Sequence, residues 1–536
     1  MIIEDYEFSE RTAGHILEDK AKTCGDKVYL QFRDEREVTY REFNEIANKI
    51  GNGLLSLGLE KGDKVATMLP NSLEAAYIWF GTSKAGLVEV PINLANKGDF
   101  LSHNINNSDA KAIVIDRELI DRLKFIEKNL PKLEKVVVWS KTPTTEKIPE
   151  LRFDVIDYEE LNKCSSERPQ IEIKSTDAQM ILYTSGTTGP SKGVMLSHAW
   201  VYVAASDYIE GMRATSEDIL FTCLPMFHGN ARLVTLYPAM LIGAKVVMYE
   251  RFSATRHWDR IRKAKATIFN SLGAMANFSY NQPRKANDSD NPARVCCAAP
   301  MPPEIYEDFE KRFNLKVVPH YGLTEVAIIT YDTYGKPKIG SCGKETKNFE
   351  VKIVDENDWP VPPGVVGEIV ARGRIPWATS LGYYNMPEKT LELVRNNFHH
   401  TGDAGYLDED GYLYFVDRMK DYIRRRGENI SSFEIERVVD TYPKILESVA
   451  ISVKSELSED EVMIVIVPEK GEKIDPEELL IFCEERMPYF AVPRYVEFVE
   501  KFPKTLNEKI QKNKLREAGI TENTWDREKA GYKVKR

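Results

Sequence analysis

Cysteine is scarce in this chain, with seven residues among 536. Two of them, Cys296 and Cys297, are adjacent, and no Cys-x-x-Cys pair occurs. That usage speaks against a disulfide framework or a cysteine zinc site and predicts free thiols in a reducing cytoplasm. Long apolar runs are also missing. The nearest candidate, residues 75–92, is interrupted by Lys84 and Glu89, so no membrane span is expected. Excess positive charge is absent as well: 73 Lys and Arg stand against 83 Asp and Glu, a formal net charge of −10. A nucleic-acid partner would call for a basic surface, and none is expected here. The opening MIIEDYEFSE is acidic and lacks a signal-peptide pattern, which fits a cytoplasmic location. There is no internal repeat and no long low-complexity linker.

What the chain does have is length and alternation. At 536 residues it is too long for one core, so two or more domains are expected. Tyr40, Phe43, Ile46, Ala47, Ile50 and Leu54 recur at helical spacing. Residues 64–69 then read as a strand, 73–84 as a helix, 87–92 as a strand, and 112–115 and 136–139 as strands around a helix-like 119–129. This is the pattern of an α/β protein with largely parallel sheets. The texture changes at 350–355, 365–372 and 412–416, which read as strands joined by Pro/Gly turns, with Asp410-Gly411 a hairpin turn. A smaller α+β unit follows Asp417. It has a helix from Ser431 or Ser432 and strands at 449–453, 462–467 and 495–499. Asp475-Pro476-Glu477-Glu478 is a strong helix start. The tail from Lys529 is polar and basic, and is expected to fray.

One stretch carries chemistry on its face. ILYTSGTTGPSKGVMLSH, residues 181–198, runs from a strand-like segment into a loop of Thr, Ser and Gly closed by Lys192. Backbone N–H groups, hydroxyls and one cation suit a phosphate. The loop is not a Walker P-loop, because Lys192 follows Ser191 and no Ser or Thr comes after it to hold magnesium. Ser197 is placed to N-cap a helix running through Tyr208.

The loop does not stand alone. His320-Tyr321-Gly322-Leu323-Thr324-Glu325, Thr401-Gly402-Asp403, Asp417-Arg418 followed by Lys420, Gly427-Glu428-Asn429-Ile430 and residues 503–512 follow in order. Together they resemble the motifs of the adenylate-forming superfamily: acyl-CoA synthetases, peptide-synthetase adenylation domains and luciferases. The likeness runs from about Tyr29 to Arg516. It implies a large N-terminal domain of packed, largely parallel α/β sheets plus a β-barrel-like subdomain, spanning 1–417. A small mobile α+β lid, 418–536, would pivot near Lys420. The implied chemistry is attack of a carboxylate on the ATP α-phosphate, giving acyl-AMP and pyrophosphate, then displacement of AMP by the thiol of coenzyme A. Thr184, Ser185, Gly186, Thr187, Thr188, Gly189 and Lys192 would hold the pyrophosphate end of ATP. Ala298, Ala299, Pro300, His320, Tyr321 and Gly322 would frame adenine, Thr324 would meet the α-phosphate, and Asp403 with Arg418 would meet the ribose. Glu325 and Thr188 would hold Mg2+, Lys509 would bridge carboxylate and α-phosphate, and Gly427 and Glu428 would approach the thiol path. Thr184, His228, Glu325 and Lys509 are thus the expected catalytic set, with His228 gating the acyl and thiol paths.

The acid is less legible. The segments 227–231, 252–254, 269–275 and 488–495 resemble the crotonobetaine/carnitine-CoA ligase-like branch, whose enzymes act on quite different acids. His228, Asn230, Arg232, Leu233, Gly273, Ala274 and Met275 are the expected pocket lining. Arg232 either faces the substrate, where it would repel a quaternary ammonium, or turns to solvent or a neighbouring Glu. Arg424-Arg425-Arg426 either meets CoA phosphates or is a solvated charge run. Two rival readings stay open: an enzyme loading a carrier protein with its acyl-AMP, and a non-catalytic nucleotide-binding protein. A homodimer is suggested by the resemblance alone.

Overall fold

The computed structural model describes residues 6–142, 147–184, 190–299, 301, 303–418, 422–425, 428–454, 460–503, 510 and 512–535. Two large sheets form the first part. A seven-stranded sheet runs in the spatial order 154–157, 135–139, 110–116, 64–68, 88–91, 178–184, 192–197, parallel except for its last pair. A nine-stranded sheet has a parallel centre, 316–323, 295–299, 268–272, 219–222, 245–248 and 28–32, with antiparallel strands at both edges.

The helix Leu73–Lys84 begins where Ser72 Oγ accepts the N–H of Ala75. Nearly every side chain on it is buried, as expected of a helix apolar all round. With His198–Met212 it belongs to one apolar cluster that joins both large sheets. Ser197 caps that second helix by accepting from Trp200 N, and the helix runs four residues past Tyr208. The two charges that interrupt the apolar run 75–92 are both buried and paired. Lys84 Nζ lies 2.5 Å from Glu18 Oε1 and 2.6 Å from Asn44 Oδ1, and burial drives its pKa down to about 8. Glu89 is paired with Arg232.

A curled antiparallel sheet follows, with strands Phe349–Val354, Gly367–Gly373, Phe398–Leu407 and Leu413–Arg418. Gly411 supplies the positive φ (81°) of the hairpin after Asp410. From Tyr422 on, a two-stranded ribbon and a four-stranded sheet carry their own apolar clusters. The four-stranded sheet is coated on both faces. Ile423 and Ile430 belong to one cluster, and Ile510 packs against the other. Asp475 caps the helix Pro476–Glu484 through Glu477 N.

Two expectations need correcting here. The described tail from Lys529 does not hang free: Tyr532 Oη donates to Glu484 at 2.8 Å, and Tyr532 and Val534 pack against the C-terminal apolar cluster. Arg425 is neither solvated nor open to a ligand. It is 1% exposed, donates to Phe490 O and Val492 O, and pairs with Glu461 at 2.6 Å. No helix among the described residues is long and apolar enough to cross a membrane, and all seven cysteines are free thiols.

Candidate active site

A cavity of about 1130 Å³ opens where the two large sheets meet the curled sheet. Thr184 and Lys192 reach it from facing register positions of the antiparallel pair that flanks the Gly-rich loop. His320, Gly322, Thr324 and Glu325 reach it from the end of Lys316–Leu323 and the turn that follows. Thr401 and Gly402 come from the curled sheet, and Gly229, Asn230 and Leu233 from the turn after His228. Segments far apart in sequence therefore converge on one space.

Gly322 shows why a glycine is required there. A Cβ at this position would lie 2.0 Å from Ala327 O, so any side chain would force the backbone apart. Tyr321 packs beneath, and its hydroxyl donates to Asp403 Oδ2 at 2.7 Å. Asp403 and Arg418 are themselves register partners on adjacent strands. Ala298 is buried on the neighbouring strand. His320 is driven down to about 4 by burial and is therefore neutral, with Nδ1 3.2 Å from Cys297 Sγ.

Tyr383 carries no signal in the sequence and is central in space. Its hydroxyl donates to Glu325 Oε1 at 2.8 Å, and Lys192 Nζ sits 4.5 Å from its ring centroid. One aromatic side chain thus spans the cation and the carboxylate of the site. Only an aromatic after Gly382 hints at it in the sequence, and that is no signal by itself.

The C-terminal part reaches the same region. Glu428 Oε2 lies 3.2 Å from His228 Nε2 and 3.4 Å from Asn93 Nδ2. Desolvation opposes the imidazolium, but the charge and hydrogen bond of Glu428 outweigh it, and the His228 pKa is raised. Glu434 Oε1 accepts the backbone N–H of Ser191 at 2.6 Å, one residue before Lys192. His103 Nε2 meets Ser191 O at 2.9 Å, so the exit of the loop is held from both parts of the chain.

Arg232 does not line the cavity. It is 2% exposed, its guanidinium faces Glu89, and its Nε donates to Met226 O. Of the placements the sequence leaves open, Arg232 takes the one against a neighbouring Glu, and its charge is cancelled inside the protein. Met275 likewise packs into the core with Phe269 and Ala276 rather than facing the cavity. Of the other expected site residues, Ser185, Gly186, Thr187, Thr188, Gly189, Pro300, Lys420, Gly427 and Lys509 lie outside the described residues.

The architecture and the gathered motifs define an adenylate-forming enzyme, and comparison with known proteins agrees. Residues 17–384 match the family model described as AMP-binding enzyme, and residues 434–509 match that of the AMP-binding enzyme C-terminal domain. The chain belongs to this family and is an AMP-forming acid–thiol ligase. It is 31% identical to a crotonobetaine/carnitine-CoA ligase of Salmonella agona over 510 residues, covering 93% of this chain and 98% of the relative. Among solved structures it is similar to ATP-bound MatB from Rhodopseudomonas palustris, at TM-score 0.70 and 27% identity, covering 95% and 99% of the two chains. It is also similar to the anthranilate CoA ligase AuaEII in complex with anthranoyl-AMP, at TM-score 0.72 and 25% identity, covering 96% and 98%.

Proposed function

We propose that this chain joins a small carboxylic acid to coenzyme A in two steps at the one cavity. The carboxylate attacks the α-phosphorus of ATP, the α–β phosphoanhydride bond breaks, and acyl-AMP and pyrophosphate result. The CoA thiol then attacks the acyl carbonyl, and AMP leaves with the electron pair of the acyl–oxygen bond. The observation that carries this reading is the Lys192–Tyr383–Glu325 arrangement on the cavity where the separate motifs converge.

Each residue has a task under this reading. Lys192, with Thr184 and the loop 185–189, offsets charge on the pyrophosphate. Tyr321 and Asp403 hold adenine and ribose. Among the described residues no three His, Cys, Asp or Glu side chains form a metal cage. The Glu325 carboxylate lines the cavity and keeps an oxygen beyond the one bonded to Tyr383. A single carboxylate completed by nucleotide phosphates suits Mg2+, which would offset phosphate charge there, with Thr188 beside it. His228 and Glu428 flank the path of the thiol.

The two domains under this reading are 1–417 and 418–536, with the hinge near Lys420, and the lid alternates between steps. Ile510, next to Lys509, packs on the face of the lid sheet opposite the one that takes Ile430, two residues after Glu428. That opposition supports one lid face for adenylation and the other for thiol transfer. Pyrophosphate release with ATP, Mg2+ and a panel of acids, with and without CoA, tests the reaction. Turnover that needs one acid class and CoA is expected, and CoA-independent turnover would favour an enzyme that loads another acceptor. Lys509→Ala is expected to abolish acyl-AMP formation while still passing supplied acyl-AMP to CoA. Equal loss of both half-reactions would sink the alternating lid.

A further inference from the structure

The acyl end of the cavity holds an ion pair that never reaches its surface. Glu89 is fully buried on the strand Val88–Pro91, and Arg232 is almost so. The two groups meet twice, Arg232 Nη1 with Glu89 Oε2 and Nη2 with Oε1 at 2.8 Å. Thr67 Oγ1 donates to Glu89 Oε1 at 2.8 Å, and Arg232 Nε donates to Met226 O. The guanidinium also lies 5.0 Å from the ring centroid of Trp79. Every nitrogen of the guanidinium and both carboxylate oxygens are engaged, so neither charge is left over for a ligand.

This pair sits directly behind the cavity wall. Arg232 opens a π-turn, Arg232–Leu236, in which Val234 departs from helical geometry (φ −123°, ψ 17°). Leu233 and Val234 of that turn line the cavity, beside Asn230. Asn270 holds the turn from behind, with Nδ2 bonded to Asn230 Oδ1 at 2.9 Å, Val234 O at 3.1 Å and Thr235 Oγ1 at 2.9 Å. Trp200, Ala204 and Leu272 line the cavity as well. These wall residues carry no ionisable group. The charged lining residues come from other segments: Lys192 and Glu325 from the nucleotide motifs, and Glu368, Glu388, Lys389, Glu392 and Arg395 from the curled sheet and the helix Pro387–Leu393 beside it, where Lys389 pairs with Glu392 and Arg395 with Asp358.

We infer that the acid this enzyme activates has an uncharged tail. A cationic or anionic tail lying against Leu233, Val234, Trp200, Ala204 and Leu272 would meet no counter-ion among them, because the Glu89–Arg232 pair behind Leu233 and Val234 is already matched. The preference sets this chain apart from the relative named for carnitine, whose acyl group carries a quaternary ammonium. The inference rests on the ligase reading above, since it concerns the acyl end of the same cavity.

The test uses binding rather than turnover. Three acyl-sulfamoyl adenosines of similar tail length, made from hexanoic acid, 4-trimethylammoniobutanoic acid and adipic acid, are titrated calorimetrically against the full chain. The hexanoyl compound is expected to bind about 100-fold or more tightly than either charged one. Equal or tighter binding of a charged tail overturns the inference. Glu89→Gln, which unmasks Arg232, is expected to shift the ratio toward the adipoyl compound by about tenfold, and Arg232→Met to shift it toward the cationic one. Should either single variant fail to fold, the double variant Glu89→Leu/Arg232→Met removes both charges and is expected to keep the wild-type order. Folded single variants with unaltered order overturn the role given to the pair. Absence of pyrophosphate release with every acid, alongside the expected binding order, counts against the ligase reading alone. Pyrophosphate release strongest with carnitine counts against the neutral-tail inference alone.

Discussion

The two ends of the cavity are built on opposite electrostatic plans. At the proposed nucleotide end Lys192 and Glu325 present their charges to the cavity, and Tyr383 spaces them. At the proposed acyl end Arg232 and Glu89 turn their charges on each other, and the wall in front is Leu233 and Val234. An exposed charge pays its way only where a ligand of opposite sign is always the same, as a triphosphate is. A buried, matched pair can hold a turn in place without choosing a charged ligand. The nucleotide end should therefore respond alike for every acid, and the acyl end should respond acid by acid.

The largest effect expected is at the nucleotide end. Lys192→Ala removes a donor at developing charge and should slow pyrophosphate release about 10²–10³-fold, or about 2.7–4 kcal/mol, for all acids equally. A loss confined to some acids would break the division. At the acyl end, Ala204→Leu narrows a wall without touching the ATP motifs. It should cost roughly 1–3 kcal/mol in kcat/KM for the longest acids while leaving the KM for ATP in place. Tyr383→Phe keeps the ring beside Lys192 and removes the bond to Glu325. About a tenfold loss is expected, equal across acids, with a higher Mg2+ requirement read from the metal titration.

The smallest effect concerns the contact between Glu428 and His228. Glu428 raises the His228 pKa, so their ion pair is complete below the ordinary histidine value and is lost as pH rises through the raised one. Glu428→Gln removes that pull. Any pH flank that His228 gives the CoA-dependent rate should then move to lower pH, with a change of less than about tenfold at its plateau. An unmoved flank would show that His228 titrates independently of Glu428.

Legibility followed the same division. The strand at 64–68 and the helix Leu73–Lys84 were readable because apolar spacing and a Ser cap act locally. Lys192, Gly322 and Glu325 could be grouped before the fold was known because each lies in a short motif that resembles the family's, and all three line the one cavity. Tyr383 was not, since its role depends on a hydroxyl meeting a carboxylate 58 residues away. Arg425 was misread because a run of three arginines looks solvated until a strand pairing turns one inward against Glu461. The tail was misread for a similar reason, since its basic composition hides Tyr532 and Val534, which pack against the C-terminal apolar cluster.

The sequence by itself determined the family, the α/β alternation and the nucleotide motifs, because contiguous residues set loop shape and donor supply. Only the tertiary structure decided the charge of the acyl end. Arg232 reads as a cation until it meets Glu89, 143 residues distant, and cancellation between buried charges is a matter of distance in space, which no local pattern encodes.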